Sequence, residues 1–335
     1  MTRLIAAFVI AVAGWALWWP VVASSERQAT EQWLTAQRAA GWQAEATHIA
    51  VTGFPLRYTR TLTAPILADP ANGWAWEAER VQLGRPRHAG ITPPGLVLTL
   101  PRSQTLRSPW QALDLSSREA TATLMVSRGG EAIEEATATL TDLVLRSDAG
   151  WDAALQSGTL TARASDSGPN AMRITLAARS LATPSRVAEA LSGADLAPRE
   201  IERIEAEADV TFDAPWTIAA LETRRPQPTR LILRDAGVLW GALTLRVAGS
   251  LEMDASGEVS GDLLVKATNW RELLATSVAS GLIPKTIAAG LEQTLDLMSR
   301  LAGRRDTLDV PITFANGRTR IGPLPIAPAP VLRLP

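Results

Sequence analysis

Two hydrophobic patterns divide the chain. From Leu4 to Ala23 the apolar run LIAAFVIAVAGWALWWPVVA carries no charge. At 1.5 Å per residue, a helix over Leu4–Val22 is about 28 Å long, close to the hydrocarbon thickness of a bilayer. A single membrane span over residues 1–23 is expected, with Trp15, Trp18 and Trp19 in the headgroup layer and Pro20 where the helix bends or restarts. Arg3 before the run and the small residues Ala23, Ser24 and Ser25 after it also fit a secretory signal. The apolar length and the bulky Trp-Trp-Pro favour a retained anchor over a cleaved one. Arg27 and Arg38 leave the flanking charge ambiguous. A signal-like start followed by a long domain favours a cytoplasmic N-terminus and export of the rest.

Residues 24–41 then read as a connecting amphipathic helix. Ser25 with Gln28 forms a capping box, Ala29, Trp33, Ala36 and Ala40 recur at helical spacing, and Gly41 stops the helix. From Trp42 the period becomes two. Strands are expected at His48–Thr52, Leu56–Arg60, Trp74–Leu83, Gly95–Leu100, Ala120–Val126, Glu135–Leu145 and Gly158–Ala164, with Gly53-Phe54-Pro55 at an edge or bulge. Ala120, Ala122, Leu124 and Val126 share one face, and Thr121, Thr123 and Met125 the other. An antiparallel meander with one greasy face accounts for this most simply.

The second half repeats a theme. Strand Arg173–Ala178 leads to Thr183, a cap for a helix Pro184–Leu191 that ends at Ser192-Gly193. Strand Leu263–Ala267 leads to the capping box Asn269-Trp270-Arg271-Glu272 and a helix closing at Ser280-Gly281. The echo divides the chain into an N-terminal β-rich lobe, 42–180, and a C-terminal one with helices, 181–335; it leaves open whether the two are a duplication. Leu239–Val265 is the clearest sheet, and Pro284–Ala302 is an amphipathic helix with Ile287, Leu291, Leu295, Met298 and Leu301 in one stripe, ended by Gly303. Asn316-Gly317 predicts a type I′ hairpin pairing Phe314 with Thr319 and Ile312 with Ile321, before a proline-rich extended tail. The fold class is therefore α+β and β-rich: a transmembrane helix, then curved, mostly antiparallel sheets with a few packed helices.

Several short motifs, taken in order, carry a resemblance. They are Gly41-Trp42-Gln43-Ala44, Thr52-Gly53-Phe54-Pro55-Leu56-Arg57-Tyr58, Ala68-Asp69-Pro70, Gly73-Trp74-Ala75-Trp76, Pro101, Gln104-Thr105-Leu106 and Ser147-Asp148-Ala149-Gly150-Trp151. With them the chain resembles, over nearly its whole length, the Gram-negative family known as domain of unknown function 2125. The resemblance implies a single-span, envelope-facing architecture and transfers no reaction and no catalytic residue. The Gly-Phe-Pro element is more distantly similar to AsmA-like envelope proteins, which implies long β-sheets associated with lipid handling.

Composition narrows the chemistry. The chain has no cysteine, which excludes disulfides, thiolate metal sites and cysteine nucleophiles. A net charge of −1 with interspersed signs lacks the footprint of a nucleic-acid binder. His48 and His88 are the only imidazoles, and neither has a partner at metal-ligand spacing. No phosphate loop, dinucleotide fingerprint or Gly-x-Ser-x-Gly elbow occurs. Glu134 and Glu135 point to opposite faces of a strand, and Asp306 and Asp309 flank a strand start. Arg304-Arg305 suits either lipid phosphate or a helix C-terminus, and Lys285 with Ser277 and Ser280 is a formal Ser-Lys set without convergent geometry. No catalytic, cofactor-binding or metal residue is therefore assigned.

The expectation is a non-catalytic inner-membrane protein with its bulk in the periplasm. An apolar sheet face left uncovered by helix Pro284–Ala302 would bind lipid or another apolar ligand. The alternatives are a scaffold joining envelope proteins through a strand edge, and third a hydrolase of unknown type.

Overall fold

The computed structural model describes residues 2–53, 58–85, 95–129, 131–182, 200–222, 224–279, 285–301, 306–322 and 324–334; the side chains of residues 2–19 and of scattered helical positions lie outside this set. The helices proposed at Pro184–Leu191, the Gly-Phe-Pro element beyond Gly53, His88, Ser280-Gly281 and Arg304-Arg305 therefore fall, wholly or in their decisive part, outside the described residues.

The chain opens with one helix, α1 (Thr2–Ala39), that runs through Pro20. The expected break between anchor and connecting helix is absent, because Ser25 lies inside the helix. The Ser24 and Ser25 hydroxyls donate back to the carbonyls of Val21 and Val22, so the proposed capping box with Gln28 does not form. The stop at Gly41 is as the sequence indicates. Gly41 adopts φ +92°, its N–H donates to Arg38, and the Trp42 N–H reaches the Gln37 carbonyl at 3.0 Å, a full Schellman closure. Among the described residues no helix is long and apolar enough to cross a membrane.

Among the described residues twenty strands follow, all paired antiparallel in one hydrogen-bonded system. They are β1 (Gln43–Glu45), β2 (His48–Thr52), β3 (Thr59–Thr63), β4 (Ile66–Asp69), β5 (Trp74–Ala78), β6 (Arg80–Gly84), β7 (Gly95–Thr99), β8 (Ser103–Arg107), β9 (Ala112–Ser116), β10 (Glu119–Val126), β11 (Ile133–Ser147), β12 (Trp151–Ala164), β13 (Ala171–Ala182), β14 (Glu200–Phe212), β15 (Pro228–Trp240), β16 (Leu243–Met253), β17 (Val259–Thr268), β18 (Thr307–Ala315), β19 (Arg318–Ile321) and β20 (Leu324–Pro328). From β10 to β20 they form a meander in which each strand pairs with the next. Pairing continues across residues 180 and 181, which lie inside β13.

The N-terminal strands fork from β11. Its first part pairs with β10, which leads through β7, β6 and β3 to β2. Its last part, from Val144, pairs with β9, which leads through β8, β5 and β4 to β1. Asp142, at φ +49°, stands at the fork, and Arg118 between β9 and β10 donates its N–H to Thr141 and pairs with the Asp142 carboxylate at 3.0 Å. The fork corrects one expected strand: Trp74–Leu83 is two strands, β5 and β6, that turn apart at Glu79 into different leaves. α1 lies against β1 and β2 at the ends of both leaves, so that Leu34 is buried with Ala44, Ile49 and Leu62.

Among the described residues three further helices pack on the meander: α2 (Ile218–Glu222), α3 (Trp270–Ala279) and α4 (Lys285–Leu301). The Asn269 capping box is replaced by tertiary contacts. Asn269 is left-handed, its N–H goes to the Asp306 carbonyl, and its side-chain amide donates to Ala242. Leu291 and Leu295 of the predicted α4 stripe are buried on Ala267, Leu308, Val310 and Ile321. The Asn316-Gly317 hairpin has both residues at positive φ and the expected register, Phe314 with Thr319 and Ile312 with Ile321.

Candidate functional site

Strand alternation gives the meander two chemically distinct faces. One row passes from Leu96 through Leu124, Ala136, Ala162, Ile174, Ala208 and Leu233, then past Gly249 to Leu263, Ile312 and Ile321, each the register partner of the last. Its neighbour runs Leu98, Ala122, Ala138, Leu160, Leu176, Ala206, Ala236, Val247, Val265 and Val310. Directly opposed residues share a face, so this side of the sheet is apolar without interruption. On the other side stand the rows Thr123, Thr137, Thr161, Thr175, Glu207 and Glu135, Arg163, Arg173, Asp209.

Continuity across β15 depends on a bulge. Leu233 faces Ala208 while Ala236 faces Ala206, so one extra residue keeps both side chains on the apolar face. The same bulge aims Arg234 at Asp209. That carboxylate is 3% exposed and is shared by Arg173, whose Nε donates at 2.9 Å, and Arg234. The Arg173 bond holds the Asp209 carboxyl below the usual carboxylate range, against the opposing effect of burial. Arg163, Arg173 and Arg234 edge a polar recess of about 500 Å³. Glu135, Asp209 and Glu207 lie within ion-pair distance of these arginines, so the recess carries no clear excess charge.

The apolar face is covered unevenly. α3 and α4 close it over β17 to β19, and the second leaf with α1 closes it over β3 and β6. Between these covers Leu160 and Leu176 remain 46% and 36% exposed. Two apolar cavities flank that opening. A space of about 510 Å³ lies among Leu124, Ala162, Ile174, Phe212, Trp216 and Leu231, roofed by Leu221 of α2 and Leu332–Leu334. A second, about 440 Å³, lies between the leaves and α1, lined by Trp33, Leu62, Leu67, Trp76, Leu83, Leu96 and Leu98. Leu96 of one cavity is the register partner of Leu124 of the other, so both open on one face across β7 and β10.

A charged lip bounds the second cavity. Arg60 shares the Leu62 face of β3, is register partner of Leu83, and pairs with Glu26 of α1 at 3.6 Å. Beside it the Arg85 guanidinium lies 4.6 Å from the Tyr58 ring centroid. Burial raises the Tyr58 pKa, with Arg85, Glu26 and Arg60 all close enough to act on it. The sequence reading missed Arg60, although the alternation Arg60-Thr61-Leu62 already placed it on the apolar side.

Those of the residues singled out from sequence that lie among the described residues do not converge. His48 is exposed on β2, Glu135 pairs with Arg163 at 2.7 Å, and Asp309 lies 3.8 Å from Lys266 across β17 and β18. Among the described residues no three His, Asp or Glu side chains form a metal-ligand group. Residues 19–330 match a family model described as an uncharacterized protein conserved in bacteria, domain of unknown function 2125. Neither a curated protein nor a solved structure matches the chain.

Proposed function

From a chain that belongs to the domain of unknown function 2125 family, we propose a non-catalytic binder of lipid or a similar apolar ligand, anchored by Leu4–Ala23 in the inner membrane with its bulk in the periplasm. The observation that carries the reading is the unbroken apolar face, with Leu160 and Leu176 open to solvent between two apolar cavities. Soluble domains rarely leave contiguous apolar surface bare without a ligand or partner for it, and pockets of several hundred Å³ suit small apolar molecules. The anchor rests on the hydropathy and length of the run itself. The scaffold alternative is less favoured at the free edge of the meander, where Pro325 and Pro328 of β20 remove two backbone donors from strand addition.

Mass spectrometry of the protein extracted gently from membranes is expected to find a co-purifying lipid, reduced when Leu160→Glu and Leu176→Glu are introduced together. Extracts with no lipid, alongside a lipid-carrying control protein, would refute the proposal. An alkaline-phosphatase reporter fused after Pro335 tests the topology and should be active only if the C-terminus is exported.

A further inference from the structure

The cavity between the leaves has a direction. On β3 the inward positions change from buried Leu62 to half-buried Arg60, with Tyr58 just before the strand. On β6, paired with it, they change from buried Val81 to half-buried Leu83, with exposed Arg85 just after the strand. The floor is hydrocarbon, and among the described residues the lip holds the Arg60 guanidinium, paired with Glu26 of α1, with Arg85 stacked on Tyr58 beside it. Glu45 lines the cavity as well; it alternates with buried Ala44 on β1 and is exposed. The Arg60–Glu26 contact at 3.6 Å is an ion pair without a hydrogen bond, which leaves the fork of guanidinium donors available to an incoming anion.

We propose, building on the apolar-ligand reading above, that this cavity takes the hydrocarbon chain of a fatty-acid carboxylate, with its headgroup received by Arg60 at the lip. A volume of about 440 Å³ suits one slender chain, and a planar carboxylate matches guanidinium geometry in pairs of hydrogen bonds. Glu26 competes for Arg60, so it tempers affinity for an anion.

The test uses the full chain in phosphatidylcholine nanodiscs, photo-crosslinked with a diazirine-bearing palmitate or hexadecanol of equal length at mildly alkaline pH. Peptide mass spectrometry then locates the adducts. Palmitate should label peptides containing Trp33, Leu83 or Leu96 about tenfold more than the alcohol, the ratio that one charge-assisted contact supplies. Arg60→Gln should bring that ratio close to one with alcohol labelling unchanged. Glu26→Gln should raise palmitate labelling, an opposite sign that misfolding cannot imitate. Equal labelling by acid and alcohol in the wild-type protein would overturn the headgroup assignment and leave the apolar groove standing. So would palmitate adducts confined to the Leu160 and Leu176 peptides, or a diazirine phosphatidylglycerol that labels the cavity as well as palmitate does. No labelling anywhere on the apolar face would overturn both proposals.

Discussion

Leu160 and Leu308 occupy the same face of the same sheet, and their truncation to alanine should have very different costs. Leu308 is 1% exposed, under α4 and beside Ala267. Leu308→Ala removes the transfer energy of a fully buried side chain and leaves a void, together about 3 kcal/mol. Leu160 is 46% exposed, so only about half of the roughly 2 kcal/mol transfer energy is at stake, and no closed void forms; Leu160→Ala should cost about 1 kcal/mol. Leu176→Ala, at 36% exposure, should fall close to Leu160→Ala. The assay is equilibrium urea unfolding of the full chain in amphipol, comparing midpoints at unchanged slope. The strand propensity lost is similar at each site, so the difference reports cover. If Leu160→Ala is as destabilising as Leu308→Ala, something already covers mid-sheet, and the open groove does not exist.

Three other substitutions test the frame. Because Arg173 holds the folded pKa of Asp209 down, its contribution is full above the ordinary carboxylate range and is lost as pH falls through the depressed value. Asp209→Asn should therefore flatten the decline in urea midpoint below about pH 4, and an acid limb identical to wild type would contradict the pairing. Gly261→Ala should cost about 2 kcal/mol or more, because at φ +126° a Cβ would come within 2.3 Å of the Ser250 carbonyl oxygen, a backbone atom. A thermal melt with no loss would refute that placement. Gly290→Ala, on the exposed side of α4 with nothing within 4 Å of the added carbon, should stabilise by about 0.5–1 kcal/mol, again read as a melting shift.

How much of this was legible in the residues depended on how local the cause was. The Asn316-Gly317 register and the α1 stop at Gly41 follow from backbone preferences of two or three residues, and both were readable. The apolar face was readable in part, since Ala120, Ala122 and Leu124 alternate within one strand. The split of Trp74–Leu83 was not, because Trp76 packs in one leaf and Val81 in the other while the alternation itself scarcely changes. Strands β8, β9 and β14 were missed as well. The sequence Glu200–Phe212 carries charges on its outward positions that mask the inward Ile204, Ala206, Ala208 and Val210, and the pattern becomes decisive only beside β13. Asn269 has the residue type of a cap, yet its backbone is claimed by Asp306, more than thirty positions away in sequence. Arg60 was legible and was overlooked, because its place on the apolar side of β3 needs only the strand period.

Five of the motifs that carry the family resemblance, among the described residues, turn out to be junctions. Gly41-Trp42 closes α1, Asp69 accepts N–H bonds from Ala71 and Asn72 in the β4–β5 turn, and Gly73 takes φ +68° there. Gln104 accepts the Trp76 indole N–H at 2.9 Å, and Asp148 in the β11–β12 turn accepts the Ala112 N–H, tying that turn to the second leaf. Every one of these contacts fixes where a leaf ends or how it meets its neighbour, and none points a reactive group into a cavity. An open sheet with two faces has no interior, whereas two leaves leaving one strand, with α1 across their far ends, enclose one. These junction residues therefore determine that there is a cavity. The rows of leucine and alanine, with Arg60 at the lip, determine what it can hold.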